Sequence, residues 1–231
     1  MRIADLPRGL QPREQLKTVG AANVADDVLV AISPRSRAVC DFGRGFYMGD
    51  APQQPLTLIC RTESPRFYEL DFDLDGLSVR RLGADMTWAL FVAYNRGHLE
   101  AYAGTPLEER MKAIADGADV IVGRIANDRV FFAVERFFDG TITVETLTEV
   151  LKVLNYGNQY CALTPRACAA VRVASERTLD ETECANLRRR SDAQRQRAED
   201  LTNRIFRERR HLDGTYFDEL CERLAKGEPL E

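Results

Sequence analysis

The stretch Asp41-Phe-Gly-Arg-Gly-Phe-Tyr-Met48 predicts a tight, glycine-rich bend that leads into a β-strand. Two glycines one residue apart, Gly43 and Gly45, allow the backbone to turn sharply and let another group approach closely. The aromatic residues that follow favour a strand, because aromatic side chains suit a half-buried pleated surface. This pattern places Tyr47 beside the bend. An ordinary hairpin with a core tyrosine is the alternative interpretation.

A second stretch far along the chain, Asn158-Gln-Tyr-Cys-Ala-Leu163, predicts another short strand that begins with two amide side chains. Between the two stretches, residues 119–130 combine a buried strand with charged residues at its end. Asp128 and Arg129 at that end are candidate functional groups, with a helix cap or an ion pair as the alternative. Three ordered motifs are more specific than any one of them alone.

In this order the three motifs resemble those of an uncharacterised bacterial domain family related to the ADP-ribosyltransferases of the poly(ADP-ribose) polymerase and diphtheria-toxin branch. The resemblance covers roughly residues 20–175. It implies an α+β fold, with an ADP-ribosyltransferase-like split β-sheet core, flanking helices and a C-terminal helical extension. It also implies NAD as a substrate and a macromolecular acceptor. Members look like toxin or conflict-system components, so an antitoxin or self-association through the C-terminal helices is expected.

The resemblance assigns a role to each of the two strands. In the ADP-ribosyltransferases of that branch a tyrosine, here Tyr47, stacks on nicotinamide, and a late strand supplies a glutamate; Gln159 stands at that position here, as is usual in the nearer bacterial family. An amide holds a hydroxyl group but does not take its proton at neutral pH, which argues against chain-building polymerisation. Tyr47 and Gln159 are therefore the expected catalytic residues. The expected NAD-binding residues are Asp41, Phe42, Gly43, Arg44, Gly45, Tyr47 and Asn158.

The predicted first strand departs from the family pattern. The segment Val19-Gly-Ala-Ala-Asn23 aligns with Tyr-His-Gly-Ser, so Ala21 and Ala22 stand where a tyrosine and a histidine are expected. A ribose hydrogen bond worth about 1 kcal/mol is lost with the histidine, and Asn23 is the candidate substitute donor. With Gln159, this departure keeps a second function open: a catalytically inactive binding or assembly module of the same fold.

Composition limits the remaining function classes. The 231-residue chain is 45% hydrophobic and 29% charged, with a net charge of -4, which predicts a sizeable core and gives no global signal for nucleic acid. Arginines at 188–190, 207, 209 and 210 are a weak signal for nucleic-acid binding, because acidic residues are interleaved with them. The sequence shows no apolar leader and no run of about 20 apolar residues, so a cytoplasmic protein without membrane contact is expected.

Cysteine and acidic residues give no metal motif. The six cysteines form no CxxC pair and show no zinc-like spacing with the two histidines, so free buried thiols are expected. Asp71, Asp73 and Asp75 have the spacing of a calcium loop, but the glutamate expected several residues later is absent. No metal site is therefore predicted.

Three segments are predicted: an N-terminal arm (1–19) that is loose or a short helix, an ADP-ribosyltransferase-like domain (20–175) and a charged helical extension (176–231). Residues 216–224 carry one apolar face, which more commonly docks on its own domain than on a partner. Strands are predicted at 28–32, 46–48, 56–60, 67–72, 118–123, 160–163 and 171–173, and helices at 87–95, from 105, at 130–138, 143–154, from 164, in 178–210 and in 216–224.

Overall fold

The computed structural model describes residues 15–20, 39–50, 56–57, 59–60, 66–154 and 156–229, with residues 15–20 described as backbone alone. Within these ranges the chain is a mixed α+β protein, as predicted. The predicted strand at 28–32 and the positions Ala21, Ala22 and Asn23 lie outside the described residues.

The strands and helices follow one another along the chain in an irregular alternation. The described strands are β1 (Gln15–Gly20), β2 (Phe46–Gly49), β3 (Arg66–Asp73), β4 (Val79–Arg81), β5 (Val120–Arg124), β6 (Asn158–Ala162) and β7 (Val171–Thr178). The α-helices with described bounds are α1 (Met86–Asn95), α2 (Pro106–Ala115), α3 (Asp128–Phe138), α4 (Val144–Val153), α5 (Pro165–Ala169), α6 (Glu181–Arg209) and α7 (Phe217–Ala225), and a 3₁₀ helix spans Glu100–Tyr102. The strand predicted at 56–60 is wrong, because residues 56, 57 and 59 are helical.

The seven described strands form one sheet in the order β4-β5-β6-β2-β1-β3-β7. Only the β4–β5 pair is parallel, and the other neighbours run antiparallel. This order makes β2, which carries the end of the first motif, a direct neighbour of β6, which carries the third. The strand of the second motif, β5, lies on the other side of β6. The sheet therefore brings three distant sequence motifs to adjacent strands.

The sheet buries a different set of side chains on each face. Ile121 and Cys161 face a core built with α1, α2, α3, α4 and α7. The adjacent residues Val122, which follows Ile121, and Tyr160, which precedes Cys161, belong to a core on the opposite face. That core includes residues of α5. This alternation follows from the two-residue period of a strand. Because both faces are covered, the central strands are apolar on both sides.

Helix α1 is the centre of the larger core. Seven of its ten residues are buried, on all sides of the helix. Its start is fixed by Asp85, whose carboxylate accepts a hydrogen bond from the backbone N–H of Trp88 at 2.9 Å. A helix that is apolar all round requires cover on every side, which the sheet and the neighbouring helices provide.

The C-terminal extension is joined closely to the rest of the fold. Helix α6 begins with a capping box between Asp180 and Glu183 and has a largely solvated surface. Helix α7 buries Phe217, Leu220 and Leu224 in the larger core, and the Phe217 ring lies 4.7 Å from that of Phe138. The prediction that this apolar face docks on its own domain is confirmed.

Both predicted segment boundaries fall inside strands. Residues 15–19, expected in a loose arm or a short helix, belong to β1, which pairs with both β2 and β3. The second boundary, after residue 175, falls inside β7, which continues to Thr178 along β3. The charged extension therefore begins at α6, and the sheet needs chain from beyond both predicted limits of the domain.

One pair of cysteines differs from the expectation of free thiols. Cys60 and Cys184 form a disulfide across 124 residues of sequence, which ties the turn at Cys60 to α6. Cys161 and Cys168 are free and buried, as predicted. Disulfides persist in oxidising compartments, so this bond counts against the cytoplasmic expectation, which stays a prediction. Of the helices in the described ranges, none is both long and apolar enough to cross a membrane.

Candidate functional site

The glycine-rich bend is a closed loop that a tyrosine holds against the sheet. Gly43 has a positive φ of 81° and its N–H donates to the carbonyl of Cys40, which completes a tight turn. The Tyr47 hydroxyl donates to the carbonyl of Gly43 at 2.7 Å and accepts from the N–H of Phe42 at 2.9 Å. The loop is therefore held in place by Tyr47 of β2, the strand that follows it.

Gly45 lies where the loop touches β6. A Cβ atom at this position would stand 2.3 Å from the sulfur of Cys161 and 2.9 Å from the carbonyl oxygen of Ala162. Neither group is a flexible side-chain tip, so only glycine fits here. Gly45 therefore allows the close approach of the loop to β6, and binding of NAD by Gly45 stays a prediction.

Tyr47 and Gln159 lie on the same face of the sheet. In the β2–β6 register Tyr47 is opposite Cys161, and Gly49 is opposite Gln159. Residues directly opposite each other in an antiparallel pair share a face, and residues two positions apart on one strand do so as well. The two expected catalytic side chains are therefore diagonal neighbours. The prediction that their strands become adjacent is confirmed.

The three motifs meet in one hydrogen-bond network. The Gln159 Nε2 donates to Oδ2 of Asp41 at 2.6 Å and to the carbonyl of Arg124 at 3.2 Å. The other oxygen of Asp41 accepts from Nε and Nη2 of Arg96 at 2.8 and 2.6 Å. Arg96 Nη2 also donates to the carbonyl of Ala126 at 2.7 Å. Each motif thus supplies one or two members of the network.

This network fixes the orientation of the Gln159 amide. A carboxylate and a backbone carbonyl can only accept, so the NH₂ group must face Asp41 and Arg124. The carbonyl oxygen Oε1 therefore points away from them and is the group that can accept a ligand hydroxyl. The charge of Asp41 is balanced by Arg96, and their side chains are only 13% and 23% exposed.

Arg96 is the main site residue that sequence reasoning missed. It caps the C-terminal end of α1, where a cation is favourable, and its guanidinium lies 4.5 Å from the ring centroid of Phe131. His98 contacts the same ring edge-on, also at 4.5 Å. An arginine directly after a wholly apolar helix was the only signal in the sequence. Its partner, Asp41, is 55 residues away.

Asn158 forms a clamp at the end of β2 and β6. Its backbone N–H and its side-chain amide each donate to the carboxylate of Asp50 at 2.7 Å, and the N–H of Asp50 donates back to the Asn158 carbonyl at 3.0 Å. Asp50 is a second residue that sequence reasoning missed. This clamp holds the strand end next to Gln159, and binding of NAD by Asn158 stays a prediction.

The other expected site residues have different surroundings. Phe42 is 2% exposed and packs in the core beside Phe91, so it supports the loop from inside the core, and its binding of NAD stays a prediction. Arg44 is exposed at the tip of the loop. Arg129 pairs with Glu199 of α6 at 2.6 Å, which is the ion-pair alternative. Burial raises the pKa of the Cys161 thiol to about 12, which disfavours a thiolate nucleophile.

The aspartates of the calcium-like spacing make a local turn. The backbone N–H of Asp75 donates to Oδ1 of Asp73 at 3.0 Å, which is a common turn arrangement. In the part of the chain that the structure describes, no group of three or more histidine, cysteine, aspartate or glutamate side chains is arranged to hold a metal ion.

Tyr47→Phe is expected to destabilise the protein by about 1–2 kcal/mol, because it removes both hydrogen bonds that close the loop. Burial raises the pKa of Tyr47, so its neutral form is stabilised by folding. This contribution is complete below the pKa of an unfolded tyrosine, about 10, and is lost as the pH rises above it. Thermal unfolding should therefore show a smaller difference in stability between wild type and Tyr47→Phe at about pH 10.5 than at about pH 8.

The matched control is Tyr216→Phe at a tyrosine that is 45% exposed. It is expected to change stability by less than about 0.5 kcal/mol. An equal loss of stability in both variants would contradict the role of Tyr47 in closing the loop.

Comparison with known proteins places the chain in a family without giving it an activity. Residues 26–173 match the family model described as "Protein of unknown function (DUF3990)". No curated protein and no solved structure matches the chain. The matched region includes the loop, Arg96, both strands of the network and the Asn158 clamp, and it ends before α6.

Proposed function

The chain belongs to the DUF3990 family, whose function is unknown, and we propose that it is a divergent mono-ADP-ribosyltransferase-like protein that uses NAD to modify a macromolecular target. The observation that carries this proposal is the bond between Asp41 and Gln159, at 2.6 Å, beside the strand of Tyr47. This hydrogen bond joins the loop of the first motif to the strand of the third, and that adjacency of the two motifs is what supports the proposal.

The proposed reaction breaks the bond between the nicotinamide nitrogen and C1′ of the adjoining ribose. The ribose develops positive charge, nicotinamide leaves, and a nucleophilic atom of the acceptor bonds to C1′ and releases its proton to solvent. Such a reaction depends on positioning and on charge stabilisation. In this proposal Oε1 of Gln159 accepts a hydrogen bond from a ribose hydroxyl, and Asp41 is a positioning residue that holds the amide. Tyr47 contacts nicotinamide through the part of its ring not covered by Phe42.

The amide at Gln159 favours transfer of a single ADP-ribose unit over growth of a poly(ADP-ribose) chain. Extending a chain requires removal of a proton from a ribose hydroxyl, and an amide cannot take that proton at neutral pH. An acceptor that is already nucleophilic, such as a side chain that reacts without a base, requires only correct placement. Target identity, toxin activity and an antidote protein all stay predictions.

The test is release of nicotinamide from NAD by the purified protein, with and without a cell lysate as the source of acceptors. Gln159→Ala is expected to lower the rate about tenfold or more, since it removes a hydrogen bond that is made to the reacting ribose. Gln194→Ala, at an exposed position of α6, is the matched control and should leave the rate unchanged. If the wild-type protein neither binds NAD nor releases nicotinamide, the proposal fails.

A second candidate function is a catalytically inactive binding or assembly module. The observation that favours it is the internal use of the candidate catalytic groups: the Tyr47 hydroxyl and the Gln159 NH₂ both hold the loop. Truncation after residue 175 cannot separate the two functions, because α7 contributes Phe217 and Leu220 to the core. Substitutions on the exposed face of α6 are the suitable test. If the protein is a binding module, they should impair its binding; if it is an enzyme, they should leave NAD cleavage intact.

A further inference from the structure

A cavity of about 830 Å³ lies at the opposite end of α3 from the Asp41–Gln159 network. It lies between the end of α3, the start of α4 and the last turns of α6, and the exposed side chains of Leu212 and Tyr216, before α7, form its mouth. Arg136 in its wall is seven residues beyond Arg129 on α3, about 10 Å along the helix axis. The volume lies in the range of about 300–1,000 Å³ that is usual for small-molecule sites.

The lining of this cavity is strongly positive. Five arginines face it against a single carboxylate, that of Asp200; they are Arg136, Arg204, Arg207, Arg209 and Arg210. Within the described residues Arg204, Arg207 and Arg210 form no ion pair, and Arg209 has a carboxylate of Glu149 only at 4.0 Å. Guanidinium groups concentrated in this way repel one another, and an anion such as phosphate, which they bind in bidentate fashion, removes that repulsion.

An apolar surface lies beside the arginines. The Arg136 guanidinium stacks 4.9 Å from the ring centroid of Phe206, and its Nε is buried without a hydrogen-bond partner. At the mouth, Leu212 and Tyr216 are 54% and 45% exposed, although both are large and apolar or aromatic. An exposed aromatic side chain beside a basic cleft is a surface on which a planar ring can stack.

We propose that this arginine cavity binds a phosphorylated small molecule that carries a planar ring, such as a nucleoside diphosphate. The arginines bind the phosphates, and the ring lies against Tyr216 at the mouth. A limited cavity favours a small ligand over nucleic acid, which requires an extended basic surface. The site is built jointly by the family domain and the C-terminal extension. It goes beyond the proposed transferase activity and does not require it.

The test is calorimetric titration of the full chain with ADP and, separately, with pyrophosphate at low salt. ADP is expected to bind, and added salt should weaken the binding. The double variant Arg207→Gln/Arg210→Gln should weaken it about tenfold or more, since two charge-assisted contacts are removed. The matched control is Arg195→Gln/Arg197→Gln, which makes the same change of charge on exposed positions of the same helix. The control should bind as the wild type does.

Two further measurements complete the test. Tyr216→Ala should weaken ADP but not pyrophosphate, because only ADP carries a ring. Thermal unfolding of each variant checks that the fold is intact. Absence of ADP binding would overturn the proposal. Equal weakening in both arginine double variants, or tighter binding of a single-stranded oligonucleotide than of ADP, would do the same. If Arg207→Gln/Arg210→Gln binds ADP as tightly as the wild type does, the proposal is also overturned, and the Asp41–Gln159 network becomes the candidate binding site.

Discussion

Gln159→Glu, which restores the glutamate expected at this position, should lower the free energy of unfolding by about 3 kcal/mol instead of producing a better enzyme. Both partners of the Gln159 amide, the Asp41 carboxylate and the Arg124 carbonyl, can only accept hydrogen bonds. A glutamate offers no donor to either of them, and it brings a second negative charge to within hydrogen-bonding distance of Asp41. Urea or thermal unfolding near neutral pH measures the effect.

The variant's loss of stability should shrink on acidification. Protonation of either carboxyl group restores a donor across the contact and removes the repulsion, so the gap to the wild type narrows as pH falls. The double variant Asp41→Asn/Gln159→Glu should recover part of the loss, because an asparagine at 41 can donate to the new glutamate and still accept from Arg96. Gln194→Glu adds the same charge at an exposed position and should be nearly neutral. Wild-type stability in Gln159→Glu would contradict the network.

The helices and apolar strands of this fold were predictable because their patterns are local. Helix α1 is a continuous apolar run behind an Asp85 cap, and β5 is a compact run of valine and isoleucine. Strand β1 was missed since its sequence is polar and its pairing partners are distant. The segment 56–60 has strand-forming residues, but Leu56, Thr57 and Ile59 are helical, and Cys60 is tied to α6 by a disulfide. Such tertiary contacts override local propensity.

The candidate site was predictable only in part, and for a related reason. The glycine pattern and the two amides identified the loop and the late strand, and their ordered occurrence predicted that they meet. Nothing in the sequence indicated that Asp41 would be the group to contact Gln159, or that Arg96 would neutralise it. These contacts span 118 and 55 residues and depend on the sheet order. Sequence identifies the candidates, and topology decides which of them touch.

Arg96→Ala is expected to cost about 2–3 kcal/mol of stability and to loosen the loop. The substitution removes two hydrogen bonds to Asp41 and one to the carbonyl of Ala126, and it leaves a carboxylate that is 13% exposed without its cation. It also removes the stacking on Phe131. Unfolding by urea measures the loss, and hydrogen exchange of the loop amides should show faster exchange at Phe42 and Gly43.

Arg96→Lys and Arg129→Ala separate the possible causes of that loss. A lysine keeps the charge but cannot reach both Asp41 and Ala126 with a rigid fork, so an intermediate loss is expected. Arg129 forms a half-exposed ion pair with Glu199, and its removal should cost less than about 1 kcal/mol. In a double-mutant cycle, Arg96→Ala/Asp41→Ala should lose less stability than the sum of the losses in the two single variants. Each single variant leaves the charge of the other residue unpaired, whereas the double variant leaves neither charge behind. Strict additivity would mean that Arg96 acts only through Phe131 and the carbonyl of Ala126, and that Asp41 holds Gln159 independently of Arg96.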